Sequence, residues 1–178
     1  MKAVSPKNKD PKVEKLKVPP HSIEAEQSVL GSMLIAPDSW DKVAELVTEE
    51  DFYNRSHQVI YGAILRLLKN NHPIDLITVS ENLENLDELE AAGGFAYLGE
   101  LAKNTPSSAN VTAYANIIKE RAVVRELIGV AHDIADVGYN PEGRNSGELL
   151  DMAESKVFEI AEKRTGKNEG PRGIETIL

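Results

Sequence analysis

One short run near the end of the chain contains residue types that bind phosphate. Thr165-Gly166-Lys167-Asn168 is similar to the end of a phosphate-binding loop. That motif has a glycine five positions before its second glycine, a serine or threonine after the lysine, and a strand in front. Here those two positions hold Ala161 and Asn168, and no strand is predicted before them. The sequence therefore argues against a nucleotide site, and we expect these 178 residues to bind no cofactor.

Histidines and carboxylates are the next candidates for chemistry. The four histidines are His21, His57, His72 and His132. None of them has a second histidine or a cysteine at metal-ligand spacing. We therefore expect no metal site, and we predict that His57, at a helix start, and His72, in a loop, are surface residues. The carboxylates between residues 81 and 90 have the spacing of a solvated helix face, and we predict no catalytic residue. A small carboxylate-based helical enzyme stays open as an alternative.

Arg121 and Arg125 are four residues apart and share one helix face, with Glu120 and Glu126 beside them. They could bind acidic groups of a partner, or they could form surface ion pairs, which are individually weak. The sequence favours the surface ion pairs and leaves the partner contact open.

Composition limits the class of protein. The chain has 41% hydrophobic residues, enough for one domain with a core, and no cysteine, which is compatible with a reducing cytoplasm. No apolar run approaches the roughly 20 residues that span a bilayer, and the N-terminus lacks the apolar segment of a secretory signal. We therefore expect a cytoplasmic protein with no membrane partner.

The net charge of −9 is unevenly distributed along the chain. Residues 1–17, the arm, carry six lysines and two acids, whereas residues 18–178 carry 14 basic and 27 acidic side chains. An acidic body repels phosphate, so we expect DNA contact to be weak at most. The arm is interpreted as a flexible leader, with a nucleic-acid-binding accessory module as the alternative.

Helical patterns fill the chain after the arm and predict an all-α fold. Pro19 and Pro20 forbid helix before them, and Ser22 can cap a helix over about 22–35. Further helical patterns follow at 39–47, 56–70, 74–86 and 95–103, separated by caps, prolines and Gly93-Gly94. We interpret residues 18–106 as a compact globular helical head.

Two long apolar stripes follow the head. A helix over about 108–137 and a second over about 147–164 are joined by a loop rich in glycine, asparagine and proline. We predict that residues 107–164 form an antiparallel helical hairpin with an apolar face that needs a partner. The packing and partner-interface candidates are Val124, Leu127, Ile128, Ile134, Leu149, Ala153, Val157 and Ile160.

The last residues have a different character. Residues 165–171 form a polar run with glycine and proline, and a new apolar pattern then begins that includes Ile174, Ile177 and Leu178. We interpret residues 165–178 as a linker and the start of a linker helix that docks elsewhere.

Several segments together resemble the N-terminal domain of the DnaB family of bacterial replicative DNA helicases. They are KVPPHSIEAEQSVLG at 17–31, DFY at 51–53, PIDLIT at 73–78, GGFAYL at 93–98, and ELAKNTPSSANVTAYANIIKERAVVREL at 100–127. In that family a RecA-like motor follows the linker, and none of it is found here. The resemblance therefore implies that ATP, Mg²⁺ and helicase activity belong to the motor of the parent protein and that these residues are not an enzyme.

The resemblance also implies partners. In such helicases the hairpins pair between subunits, and six N-terminal domains form a collar that is a trimer of dimers. The linker helix docks on the motor domain of a neighbouring subunit. The collar recruits the C-terminal helicase-binding domain of bacterial primase. We therefore expect an oligomerisation and primase-docking domain that acts at the replication fork.

Overall fold

The computed structural model describes residues 18–105 and 107–166, with side chains described as far as Arg164. The described residues are helical and contain no strand, which confirms the predicted all-α fold. In chain order the helices are α1 (Ile23–Ile35), α2 (Trp40–Ala44), α3 (Arg55–Lys69), α4 (Leu76–Asn85), α5 (Gly94–Lys103), α6 (Val111–Tyr139) and α7 (Ser146–Gly166). Two short 3₁₀ turns, Pro37–Ser39 and Glu49–Asp51, flank α2.

Helix α1 lies at the centre of the head. It begins as predicted, with the Ser22 side chain accepting a hydrogen bond from the amide of Ala25. The sequence indicates an apolar stripe on one side, but α1 is enclosed more widely, because α3, α5 and α6 all pack against it. Its buried side chains accordingly include polar ones, Glu26 and Ser32.

The helix predicted over 39–47 is shorter than its sequence pattern. Helix α2 ends at Ala44, and the amides of Leu46 and Val47 both bond to the carbonyl of Val43. This tight ending places Val47 in the core, 2% exposed, just before the turn at Glu49–Asp51. At the start of this turn the Thr48 amide donates to Asp51 Oδ2 at 2.8 Å, which is one half of a capping box.

The predicted break at Gly93-Gly94 separates α4 from α5. Both glycines adopt left-handed backbone, with φ of +97° and +83°. An L side chain is strained in this conformation, which accounts for glycine at both positions.

Helix α6 belongs to both the head and the hairpin. Its 29 residues span about 44 Å. Its first turns contribute Val111, Ala115 and Ile118 to the same core as α1 and α3. Helix α6 therefore contributes its first turns to the head and its remaining length to the hairpin.

The second hairpin helix, α7, packs against α6 after the loop that contains Glu142 and Gly143, both with positive φ. Of its described side chains only Ile160 is buried. Within residues 18–105 and 107–166, none of the helices combines the length and apolar character that crossing a bilayer requires.

Candidate interaction surface and its junction with the head

Three ion pairs link the two antiparallel hairpin helices. Lys163 Nζ lies 2.9 Å from Glu126 Oε1, and Lys156 Nζ lies 3.6 Å from Asp133 Oδ2. Arg164 lies 3.7 Å from Glu120. The hydrogen bond and the charge of Glu126 raise the pKa of Lys163. These exposed pairs add little stability individually, so the packing between the helices depends mainly on apolar contacts.

The predicted packing residues fall into two sets. Ile134, Leu149 and Ala153 are partly buried, and Ile160 is buried. The other four, Val124, Leu127, Ile128 and Val157, are each 41–46% exposed. The first set is therefore at least partly covered by the chain itself, and the second set forms an outward apolar surface.

This outward surface extends along both helices. Leu150 and Phe158 on α7 and Tyr139 at the end of α6 are also exposed. Between the helices it includes a shallow groove of about 290 Å³, lined by Val123, Leu127, Val157, Ile160, Ala161 and Arg164. An exposed apolar surface of this kind is typical of a protein–protein contact.

Arg125 ties the root of the hairpin to the head. Its guanidinium donates to the carbonyl of Pro20 at 2.8 Å and to the carbonyl of Asp51 at 2.6 Å. It also lies over the ring of Tyr53, 5.4 Å from the centroid, and His21 stacks on that ring. Partial burial lowers the pKa of Arg125, while nearby Glu26 and Asp51 oppose this shift. The sequence favoured a surface ion pair for Arg125. That prediction was wrong, because the guanidinium donates to two backbone carbonyls instead.

Arg121 is placed differently from Arg125. Its side chain is exposed and has no hydrogen bond or ion pair with the described part of the chain. Their spacing places both arginines on one helix face, but the head contacts only Arg125.

Glu26 and His57 form a buried pair inside the head. His57 Nδ1 lies 2.8 Å from Glu26 Oε1, and both residues are 1% exposed or less. The same carboxylate accepts the amides of Tyr53 at 3.0 Å and Asn54 at 3.2 Å. On its other side, His57 Nε2 contacts the hydroxyl of Tyr97. The prediction that His57 is a surface residue was wrong, because α1 and α5 cover it.

The Glu26–His57 pair is built for packing rather than for catalysis. The Glu26 carboxylate oxygens are occupied by backbone amides and the imidazole, and both side chains are enclosed. A substrate would have to displace these bonds to reach either group. The pair instead fixes the chain at Tyr53, the platform on which Arg125 lies.

A charged cleft of about 590 Å³ lies where the Glu49–Asp51 turn meets α6 and α7. Its four cations are already engaged: Lys119 with Asp51 at 3.2 Å, Arg125 with carbonyls, Lys163 with Glu126 and Arg164 with Glu120. Among the described residues there is no group of three or more histidines and acids placed to hold a metal ion. The run similar to a phosphate loop gains no support, since α7 continues as helix to Gly166.

Residues 18–120 match the sequence profile of the DnaB-like helicase N terminal domain. The chain belongs to this family. A replicative DNA helicase DnaB of Buchnera aphidicola subsp. Baizongia pistaciae is 49% identical over 178 residues, which are all of this chain and 38% of that protein. The replicative DNA helicase DnaC of Bacillus subtilis is 40% identical over 83% of this chain and 32% of its own length. The chain thus spans about a third of the length of such relatives.

Solved structures show the same DnaB-type fold. The N-terminal domain of DnaB helicase from Mycobacterium tuberculosis superposes with a TM-score of 0.76 at 36% identity, over 80% of this chain and 99% of that chain. A structure described as a DnaB-like replicative helicase and its interactions with primase gives a TM-score of 0.64 at 27% identity. It covers 79% of this chain and 31% of its own.

Some predicted elements of this DnaB-like chain lie outside the described residues. These are the lysine arm and the linker-docking residues Ile174, Ile177 and Leu178. Conversely, Glu26, Tyr53 and Tyr97 were not singled out as a site from the sequence. They come from different helices and loops and carry no local spacing signal, and Glu26 lies among the polar residues Glu24, Gln27 and Ser28 at the start of α1.

Proposed function

We propose that this chain is an assembly and docking module of a bacterial replicative DNA helicase. In this proposal the hairpins pair between subunits, and six such domains form a trimer-of-dimers collar. Membership of the DnaB-like family supports the proposal. The observation that carries it is the outward apolar surface of the hairpin, where Val124, Leu127, Ile128 and Val157 stay exposed in the single chain.

The second part of the proposal is a primase partner. A structural relative at 27% identity is described with its interactions with primase, which supports the same partner class here. We propose that the collar recruits the C-terminal helicase-binding domain of primase. Several equivalent sites on one collar would raise the local concentration of a weakly held partner.

The third part concerns what these residues do not do. The chain spans about a third of the length of relatives named as helicases. We propose that ATP and Mg²⁺ binding, ATP hydrolysis and the grip on single-stranded DNA belong to the rest of such a protein. Residues 165–178 would dock on the motor domain of a neighbouring subunit through Ile174, Ile177 and Leu178. The module would act in the cytoplasm, at the replication fork.

A matched pair of exposed isoleucines tests the proposal. Ile128 lies on the hairpin surface and Ile77 lies on α4 of the head, and both are exposed. We expect Ile128→Asp to weaken self-association in sedimentation equilibrium by at least tenfold and to reduce primase retention in a pull-down, because a charge would be buried at the contact.

The control Ile77→Asp should leave both measurements unchanged. The proposal is wrong if Ile128→Asp also leaves self-association and primase retention at the level of the unmodified chain. Circular dichroism on both variants checks that the helices remain folded.

A further inference from the structure

The Pro19-Pro20 pair in front of α1 has no part in the functions proposed above. It belongs to the entry segment, residues 18–21, which is not helical. A proline fixes its own φ and has no amide hydrogen, so this segment is stiff and offers its carbonyl oxygens as acceptors. Both carbonyls are used: Pro19 O accepts from His21 Nδ1 at 2.7 Å, and Pro20 O accepts from Arg125 at 2.8 Å. The entry segment is therefore bonded directly to α6.

Three segments of the chain meet at the Arg125 guanidinium. Besides the carbonyl of Pro20, it binds the carbonyl of Asp51 at 2.6 Å, in the turn between α2 and α3. It also lies 5.4 Å from the centroid of the Tyr53 ring, and His21 stacks on that ring with 4.0 Å between centroids. One side chain of α6 thus connects the entry segment and the Glu49–Asp51 turn.

Arg125 lies just beyond the point where the core stops holding α6. All 29 residues of this helix are described, and its buried ones are Val111, Ala115, Ile118 and Ala122. Within the described part of the chain, Arg125 is the last residue of α6 that hydrogen-bonds to the head. The next charged pairs along the helix, at Glu126 and Asp133, are made with α7 instead. Past Ala122, the link between hairpin and head therefore depends on Arg125.

The charged cleft leaves room for the hairpin to change its angle. Its volume of about 590 Å³ lies between the Glu49–Asp51 turn and the last turns of α7, at Lys163 and Arg164. From Ala122 to Tyr139 the helix extends about 26 Å, so a change of about 10° at its root would move its far end by about 4 Å. A small movement at the root would therefore redirect the outward apolar surface.

We propose that the entry segment and Arg125 form a latch that sets the angle between the hairpin and the head, with the pivot at Ala122. When the latch is closed, the guanidinium is bonded to Pro20 and Asp51, and the hairpin keeps one direction. When it is open, α6 is held only by its buried residues and by the ion pair of Lys119 with Asp51. The hairpin then samples several angles, and the cleft changes its width. Arg125 is a positioning residue in this device.

A distance between the head and the hairpin tip tests the latch. Since the chain contains no cysteine, spin labels can be attached at Asn85→Cys on α4 and Arg144→Cys in the tip loop, both exposed. The labelled chain is mixed with a large excess of unlabelled chain, so that double electron–electron resonance measures distances within one chain. We expect a narrow distance distribution with the latch intact. Arg125→Gln should broaden it roughly twofold, because several hairpin angles are then populated.

Arg121→Gln is the matched control, since it is the same substitution one helical turn earlier. The Arg121 side chain is exposed and has no hydrogen bond or ion pair with the described residues, so the distribution should stay narrow. Slow amide hydrogen exchange at Val29 and Ile60, in the core of the head, should be the same in both variants. This second measurement separates an opened latch from a general loss of stability.

A second variant acts on the latch from the entry segment. Pro19→Gly combined with Pro20→Gly keeps the carbonyl at position 20 but removes the stiffness of the segment. We expect a distribution broader than that of the unmodified chain and narrower than that of Arg125→Gln. If Arg125→Gln loses the slow exchange of the core, this glycine variant decides, and an unchanged width in it would overturn the inference.

The latch does not depend on the proposed assembly, because both labels lie in one chain. The inference is wrong if Arg125→Gln folds and leaves the distribution as narrow as before, or if Arg121→Gln broadens it equally. In either case the proposed function is unaffected, since it is decided separately by the effect of Ile128→Asp on self-association.

Discussion

Glu26 shows at the residue scale how one buried charge connects the head to the hairpin. Its carboxylate holds His57 and the backbone at Tyr53 and Asn54, and the Tyr53 ring in turn supports Arg125. The contacts therefore run without a gap from α1 to α6. A buried carboxylate persists only where its oxygens are satisfied, and here they are.

Removing this carboxylate should be severe. We expect Glu26→Ala to lower the free energy of unfolding by about 3–5 kcal/mol, because two amides and an imidazole would be left buried without an acceptor. Urea denaturation measures the loss. Glu24→Ala, on the exposed side of the same helix turn, is the control and should cost less than about 0.5 kcal/mol. Similar midpoints for the two variants would show that Glu26 does not have this role.

At the element scale, the crossing of α1 and α5 depends on a glycine. A Cβ added at Gly31 would lie 1.8 Å from Thr105 Oγ1 and 2.4 Å from the carbonyl oxygen of Leu101. The threonine side chain could move, but the carbonyl belongs to the backbone of α5. The two helices can approach this closely because Gly31 has no side chain.

Alanine at this crossing should separate the helices. Despite a helix-propensity gain of about 1 kcal/mol, we expect Gly31→Ala to destabilise the chain by roughly 1–3 kcal/mol in urea denaturation. Gly99→Ala, within α5, meets no atom within 4 Å and should stabilise by about 0.5–1 kcal/mol. A stabilising Gly31→Ala would contradict the close approach.

The apolar residues of the two hairpin helices differ in how far the chain covers them. Its spacing predicted two apolar stripes, and the structure has both helices. The same spacing did not separate Ile134 and Leu149, which are partly buried, from Ile128 and Val157, which are exposed. Periodicity gives the face of one helix, whereas the neighbour that covers it follows from the packing of the whole chain.

At the scale of the whole molecule, the acidic body and the lysine arm keep opposite charges in separate parts of the sequence. The body therefore suits contact with proteins better than contact with phosphate.

The stability of the whole molecule at alkaline pH depends in part on Tyr61. Burial, and then the charge of Asp51, raises the pKa of Tyr61 to about 12.

This pKa predicts a loss of stability at high pH. Between about pH 10 and 12 the folded chain keeps the Tyr61 proton, whereas an unfolded tyrosine loses it. The contribution of Tyr61 to the free energy of unfolding is therefore complete below about pH 10 and declines above it. Tyr61→Phe lacks the hydrogen bond to the carbonyl of Val47 and should be about 1 kcal/mol less stable near pH 8.

By about pH 12 that difference should have shifted in favour of the variant by roughly 2–3 kcal/mol, measured by urea denaturation at each pH. A difference between the two proteins that stays constant from about pH 8 to 12 would refute the prediction.

The amino-acid sequence was enough to predict the helices, the cap at Ser22, the break at Gly93-Gly94, the antiparallel hairpin and the family. The helices and the hairpin follow from local signals: Ser22 before an apolar run, Gly93-Gly94 between two helices, and stripes on either side of a short loop. The family follows instead from the resemblance of five segments spread over residues 17–127. The contact of Glu26 with His57, the contact of Arg125 with Pro20 and the start of α6 inside the head became known only from the three-dimensional structure. Glu26 and His57 are 31 positions apart in the sequence, and Pro20 and Arg125 are 105 positions apart. Local propensity and periodicity carry no information over such distances, and the packing of several helices at once brings the side chains together.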